Sequence, residues 1–153
     1  MSDAAEANRP LRIFLDSNVL FSGFHSPDGP PGAILEYFAQ GRFVIVVSQQ
    51  VLEEVVRTFK RSLPKAVPVL RDFLVSSPLE VVADPGSEGV ARWSELLDEG
   101  DAMIIAAAMT AEPDYFVTGD AHFLKNALVK KESGLEICTP SVLLTILGLE
   151  GTA

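Results

Sequence analysis

A carboxylate and two short hydrogen-bonding side chains end the first apolar segment of the chain. Residues 11–15 form a short, mainly apolar run whose length favours a buried strand, and Asp16, Ser17 and Asn18 follow at once. In open α/β sheets, ligands bind beyond the carboxyl ends of the strands. Asp16 is therefore the first candidate for a carboxylate that binds or orients a metal ion.

Further acids occupy corresponding places along the chain. Asp120 follows the predicted strand at residues 115–117, and Asp101 opens the helix that leads into that strand. Glu53 and Glu54 lie in the helix after the second strand, where both flank its apolar face equally, so helical periodicity does not choose between them. Because the carboxyl ends of parallel strands and the first turns of the following helices share one edge, we expect these acids to converge.

A group of converging carboxylates would suit a hard divalent cation. Crowded carboxylates raise each other's pKa, and Mg²⁺ or Mn²⁺ with oxygen ligands relieves the repulsion. Such ions activate water and stabilise charge on a phosphate under in-line attack. Each acid also has a structural alternative: the aspartates could cap helices or form an Asx turn, and the glutamates could be solvated. Four acids on one edge together favour the metal site.

The elements that would position these acids alternate between strands and helices. Strands are predicted at residues 11–16, 43–47, 79–83, 115–117 and 135–138. Helices are predicted at residues 33–39, 49–60, 69–75, 90–97, 101–110 and 141–147, with Ser48 as a helix N-cap. Residues 21–32 hold three prolines and three glycines and are predicted to form a loop. The alternation predicts an α/β fold with a mainly parallel five-stranded sheet covered on both faces.

Length and composition favour one soluble domain. Of the 153 residues, we expect residues 1–10 to form a flexible leader, 11–148 a single domain and 149–153 a tail. The longest apolar run, residues 102–109, is too short to span a membrane, and the polar N-terminus does not resemble a signal peptide. The single cysteine, Cys138, excludes an internal disulfide and is predicted to be a buried strand thiol. A cytoplasmic location follows as the expectation.

The charge distribution is uneven. The net charge of −9 argues against nucleic-acid binding through bulk charge. Residues 57–71, however, contain no acid and five cations, so the rest of the chain carries −14; the cations are Arg57, Lys60, Arg61, Lys65 and Arg71. The first four are candidates for contacts with the phosphates of a nucleic-acid strand, and a solvated helix face is an equal alternative. His25 and His122 are expected to be surface or hydrogen-bonding residues rather than metal ligands.

Five segments of the chain, in order, resemble the PIN domain, specifically its bacterial toxin-like (VapC-like) branch. They are LDSNVLFSG (15–23), VVSQQVLEEV (46–55), DEGDAMIIAAA (98–108), DYFVTGDAHFL (114–124) and GLEICTPSVLL (134–144). The resemblance implies a Rossmann-like three-layer sandwich and an endoribonuclease that depends on Mg²⁺ or Mn²⁺. The catalytic and metal-binding residues it implies are Asp16, Glu54 rather than Glu53, Asp101 and Asp120. Supporting residues that would orient ligands or waters are Ser17, Asn18, Thr118 and Asp98.

The same resemblance implies the partners. They are single-stranded or structured RNA, an antitoxin protein that blocks the cleft, and a second copy of the chain. The alternative is a PIN fold that binds RNA or protein without cutting RNA.

A phospho-acceptor receiver domain fits poorly, because it would need a lysine after the last strand, where Thr139 and Pro140 stand. A phosphatase with a second aspartate two residues after the first fits poorly too, because that residue is Asn18.

Overall fold

Five parallel strands form one central sheet in the computed structural model, which describes residues 9–149. The strands are β1 (Arg12–Leu15), β2 (Val44–Ser48), β3 (Glu80–Val82), β4 (Tyr115–Val117) and β5 (Ile137–Cys138). Their order is β3-β2-β1-β4-β5, with Ile13 of β1 paired to Ile45 and to Tyr115. The structure thus confirms the α/β class and the five-stranded sheet, which is parallel throughout.

Helices connect the strands and cover the sheet. They are α1 (Ser17–His25), α2 (Pro30–Ala39), α3 (Gln49–Ser62), α4 (Val67–Ser76), α5 (Ser87–Ala91), α6 (Glu99–Ala111), α7 (Ala121–Leu124), α8 (Ala127–Ser133) and α9 (Pro140–Ile146). A single 3₁₀ turn, Pro64–Ala66, precedes α4. Ser48 caps α3 as predicted, since its hydroxyl accepts a hydrogen bond from the backbone N–H of Val51 at 3.2 Å.

The loop predicted for residues 21–32 is wrong. Helix α1 continues to His25, and α2 begins at Pro30, where a proline costs no helical hydrogen bond. Gly23 lies inside α1 because α2 packs closely there: a Cβ at this position would come within 2.5 Å of Leu35 Cδ1. Gly23, which we interpret from the sequence as part of a loop, therefore allows α1 and α2 to pack closely.

The predicted helix at residues 90–97 is also wrong in its length. Helix α5 ends at Ala91, and the chain continues in successive turns through i→i+3 hydrogen bonds from Trp93 N to Val90 O and from Leu96 N to Trp93 O. The apolar residues of this segment are still used in the core, since the Trp93 ring is buried beneath the guanidinium of Arg92.

The core lies on both faces of the sheet. Strand residues of β1 and β2 are almost fully buried, and most of α6 is buried too, as its lack of a polar face predicts. Cys138 is buried, and its thiol pKa is raised to about 11, chiefly by that burial. None of the helices in residues 9–149 is long and apolar enough to cross a membrane. The predicted leader and tail fall mostly outside the described residues.

Candidate functional site

Asp16 is fixed in place at the carboxyl end of β1. The residue is only 3% exposed and caps α1, with its Oδ1 accepting from the backbone N–H of Ser17 at 2.8 Å. Its Oδ2 accepts from the Thr118 hydroxyl at 2.8 Å and from Asn18 Nδ2 at 3.1 Å. Both oxygens thus have partners that set the orientation of the carboxylate, and none of these partners carries a charge.

The pKa of Asp16 is raised to about 6, chiefly by burial. The negative charges of Glu54 and Asp120 contribute to this increase, while the hydrogen bonds from Thr118 and Ser17 oppose it. A buried carboxylate is expensive to ionise unless a cation or several donors compensate for the lost hydration. The protein therefore holds Asp16 in an environment that favours the arrival of a proton or a metal ion.

Glu54, and not Glu53, faces Asp16. The Ser17 hydroxyl donates to Glu54 Oε2 at 2.7 Å, which ties α3 to the first residue of α1. Glu53 lies on the exposed side of α3. The choice that helical periodicity leaves open is therefore made by the packing of α1 against α3. The position agrees with the one implied by the sequence resemblance.

Asp101 lies across the cleft at the start of α6. Asp98 is the N-cap of α6, and its Oδ1 accepts from the backbone N–H of Asp101 at 2.8 Å, so α6 begins two residues before the predicted start. Partial burial raises the pKa of Asp101, and the charges of Asp98 and Asp120 add to the increase, although a hydrogen bond from His122 opposes it.

Asp120 and Thr118 connect the two halves of this edge. Asp120 caps α7, with its Oδ1 accepting from the backbone N–H of His122 at 2.8 Å. The buried Thr118 hydroxyl accepts from the backbone N–H of Asp120 at 3.0 Å while it donates to Asp16. Asn18 Oδ1 accepts from the backbone N–H of Gly119 at 2.9 Å. One hydrogen-bonded network therefore joins the ends of β1 and β4.

The predicted cationic residues lie beside this edge and extend away from it. Arg57, Lys60, Arg61 and Lys65 are all exposed. Arg57 follows Glu54 by about one helical turn. Arg61 lies roughly 10 Å from Glu54 along the helix axis, at about 1.5 Å per residue. The cations therefore lead from the cleft along α3 and into the turn after it.

The structure shows two contacts at this site that the sequence analysis does not specify. His122 is exposed and hydrogen-bonded, as expected, and its partners are acids of the site: its Nδ1 lies 2.9 Å from Asp101 Oδ2 and 3.6 Å from Asp120 Oδ1. Gln50 Nε2 reaches Glu54 Oε1 at 3.4 Å and the carbonyl of Gly100 at 3.3 Å. The contact between Gln50 and Glu54 could have been found from the sequence, because Gln50 lies one helical turn before Glu54. The contact between His122 and Asp101 depends on the tertiary fold.

The chemistry of the donor set fits a hard divalent cation. All four predicted ligands present carboxylate oxygens, which Mg²⁺ and Mn²⁺ prefer. Within residues 9–149, no lysine or arginine forms an ion pair with any of the four, and only His122 partly balances Asp101 and Asp120. Burial raises the pKa of Asp16 and of Asp101, and the charges of neighbouring carboxylates add to the increase.

Comparison with known proteins decides the family. The sequence profile of the PIN domain matches residues 12–122, well over half of the chain. The chain belongs to the PIN domain family. No curated protein sequence matches it.

Solved structures share the PIN fold at low sequence identity. VapBC2 from Rickettsia felis, bound to a DNA fragment from its promoter, is 17% identical over 84% of this chain and 98% of that one, with a TM-score of 0.60. DNA-bound VapBC from Salmonella typhimurium is 21% identical over 85% and 98% of the chains, with a TM-score of 0.61. PAE2754 from Pyrobaculum aerophilum is 17% identical over 92% and 91%, with a TM-score of 0.63.

Proposed function

We propose that this PIN domain is an endoribonuclease that depends on Mg²⁺ or Mn²⁺ and acts as the toxin of a toxin–antitoxin pair. The observation that carries the proposal is the convergence of carboxylates on Asp16, which is buried without a cationic partner and has a pKa of about 6. Such an arrangement costs stability, and perturbed carboxylates cluster at sites where chemistry is done.

The ligands in this proposal are Asp16, Glu54, Asp101 and Asp120, with Asp98 beside Asp101. A divalent ion held there supplies an activated water and stabilises negative charge on the phosphate. The partners of these carboxylates act before any ion arrives. Thr118 and the backbone of Ser17 fix Asp16, and the Ser17 hydroxyl fixes Glu54, so a ligand at the end of β1 and a ligand in α3 keep one relative position.

Substrate binding is assigned to the cations along α3. Arg57, Lys60, Arg61 and Lys65 would contact phosphates next to the cleft and so place the RNA strand without reading its sequence. Among the described residues, none of these four cations forms an ion pair with the four acids. An acidic protein can hold RNA in this way, because the local positive charge and the divalent cation offset its net charge of −9.

The proposal that this chain is a toxin is supported by the identity of the solved structures that share its fold. Structures similar to this chain include VapBC assemblies and FitAcB from Neisseria gonorrhoeae, the latter 19% identical over 84% of this chain and 98% of that one, with a TM-score of 0.58. We propose by analogy that this chain binds an antitoxin protein that covers the acidic cleft, and that it forms a homodimer.

Cleavage of a labelled single-stranded RNA tests the nuclease proposal. The wild type is expected to cut with Mg²⁺ or Mn²⁺ and not with EDTA, leaving a 5′-phosphate and a 3′-hydroxyl. Asp16→Ala and Asp101→Ala should abolish this activity, and Glu80→Gln, at the opposite edge of the sheet, should not. Full activity in either alanine variant would exclude the assigned site.

Thermal melting of the same proteins separates loss of the site from loss of the fold. A metal that binds only the folded wild type must raise its melting temperature. The alanine variants should melt cooperatively in EDTA and gain little from metal. If the wild type gains stability from metal but cuts no RNA, a PIN module that binds RNA or protein without cutting it becomes the better description.

A further inference from the structure

The rim of the acidic site contains a nitrogen donor as well as carboxylates. His122 Nδ1 lies 2.9 Å from Asp101 Oδ2 and 3.6 Å from Asp120 Oδ1. Its backbone N–H donates to Asp120 Oδ1 at 2.8 Å, so the residue is fixed next to the carboxylates through its main chain. The ring itself is 66% exposed and has room to adjust.

The spacing of these donors suits a shared ion. One ligand atom each from Asp98, Asp101 and His122 lies within 4.8 Å of the others. Two ligands on opposite sides of one ion, each at about 2.1 Å, are about 4.2 Å apart. The three atoms are therefore close enough together for a small adjustment to bring them onto the same ion, and the exposed ring provides that freedom.

We propose that His122 is a nitrogen ligand that gives the Asp101 side of the site a preference for a divalent transition-metal ion over Mg²⁺. This inference rests on the proposed metal-dependent function. Mg²⁺ takes oxygen ligands and keeps its waters, whereas imidazole suits first-row transition metals. The other side of the site, formed by Asp16 and Glu54, offers only oxygen. The two sides therefore differ in the ions they favour.

The alternative role for His122 predicts the opposite effect. If the ring only neutralised Asp101 and Asp120 where a metal would otherwise lie, it would compete with the ion, and its removal would increase metal affinity. If the ring is a ligand, its removal decreases the affinity. The sign of the change in affinity therefore separates the two roles.

Titration with Mg²⁺, Mn²⁺ and Co²⁺, each alone, tests the proposal in the full chain. His122→Ala is compared with the wild type and with His25→Ala, a matched control whose exposed ring stacks on Phe21 away from the acids. Calorimetry gives the affinities. Pulsed electron paramagnetic resonance of bound Mn²⁺ detects the coupling to a directly bound imidazole nitrogen. Melting in EDTA checks that each variant is folded.

The expected result for His122→Ala is a loss of Co²⁺ affinity of about tenfold or more, a smaller loss for Mn²⁺ and a change within about twofold for Mg²⁺. The nitrogen coupling should be present in the wild type and in His25→Ala and absent in His122→Ala. Unchanged or increased Co²⁺ affinity in His122→Ala, or no nitrogen coupling in the wild type, would overturn the role of His122 alone. If the wild type binds none of the three ions, both the role of His122 and the proposed metal site are overturned.

Discussion

The two edges of the sheet treat the same kind of side chain in opposite ways. At the amino edge, where the strands begin, Asp114 and Glu80 are paired with arginines. At the carboxyl edge, where the strands end, Asp16 and Asp101 have no arginine or lysine partner within the described residues. The pKa is lowered for the first pair and raised for the second.

The amino edge shows what compensation looks like. Arg12 donates to both oxygens of Glu80 at 2.6 and 2.7 Å and to the carbonyl of Ala111 at 2.8 Å, and the first contact is the main reason that the pKa of Glu80 is lowered. Burial alone would raise the pKa of Asp114, but hydrogen bonds from Arg9 and from the backbone of Arg12 lower it. These contacts tie β1 to β3 and to the start of β4.

The difference between the edges shows which carboxylates stabilise the fold and which are held at a cost in stability. Carboxylates at the amino edge have their charges balanced by the chain itself, and they hold strands together. At the carboxyl edge, neutral hydroxyl, amide and backbone groups hold Asp16, and His122 lies beside Asp101 and Asp120, so much of the negative charge remains available to a ligand. In the proposed function, a divalent cation takes the place at the carboxyl edge that the arginines take at the amino edge.

The largest expected effect is on cleavage. Asp120→Ala should lower metal-dependent RNA cleavage by at least about a hundredfold, because a bound metal contributes several kcal/mol and each 1.36 kcal/mol is tenfold in rate. Asp114→Asn, at the amino edge, should leave the rate within about twofold. Initial rates at saturating Mn²⁺ measure both. Comparable losses in both variants would contradict the contrast between the edges.

Stability should change in opposite directions at the two edges. In EDTA at pH 7, Asp16→Asn should raise the free energy of unfolding by about 1–2 kcal/mol. A shift of about two pKa units means that the ionised carboxylate costs about 3 kcal/mol of stability, and the neutral asparagine avoids this cost. Its amide makes poorer hydrogen bonds than the carboxylate, which subtracts about 1 kcal/mol from the gain. Arg12→Met should lower the free energy of unfolding by about 1–2 kcal/mol through the lost bonds to Glu80 and Ala111. Urea unfolding measures both, and a destabilised Asp16→Asn would contradict the interpretation.

The pH dependence sharpens the same contrast. The folded pKa of Asp16, about 6, lies above its ordinary value of 3.8, so the folded state binds more protons between those values. The contribution of Asp16 to stability is then fully present below about pH 4 and is lost as the pH rises through 6. The advantage of Asp16→Asn should therefore vanish at pH 4. An advantage that persists unchanged at pH 4 would assign it to packing instead of charge.

The smallest expected effect concerns RNA binding. Arg57→Ala and Arg61→Ala together should weaken RNA binding a few-fold in EDTA and reduce the slope of log affinity against log salt by about one to two, at roughly 0.7 per phosphate contact with a single strand. Arg42→Ala, before β2 and beside Tyr37, is the matched control. Fluorescence anisotropy at several salt concentrations measures the slopes. Equal slopes in all proteins would exclude these two arginines from the RNA surface.

The sequence alone predicts the strand-and-helix alternation and the placement of Asp16 and Asp120 at strand ends. These features are local: a buried strand needs a short apolar run, and the residue after it is fixed by chain connectivity. Parallel pairing then requires both acids to share an edge. The apolar character of α6 and the Ser48 cap were readable for the same reason.

Tertiary structure decides what depends on residues distant in sequence. Gly23 lies in a helix because Leu35 packs against it, although its local pattern predicts a loop. Glu54 faces the site because Ser17 binds it across 37 positions, a choice that helical periodicity cannot make. His122 meets Asp101 because α6 and α7 flank the same end of β4. Local propensity accounts for most of the strands and helices, whereas the helix at Gly23 and the environment of each charge depend on which surfaces meet when the sheet is covered.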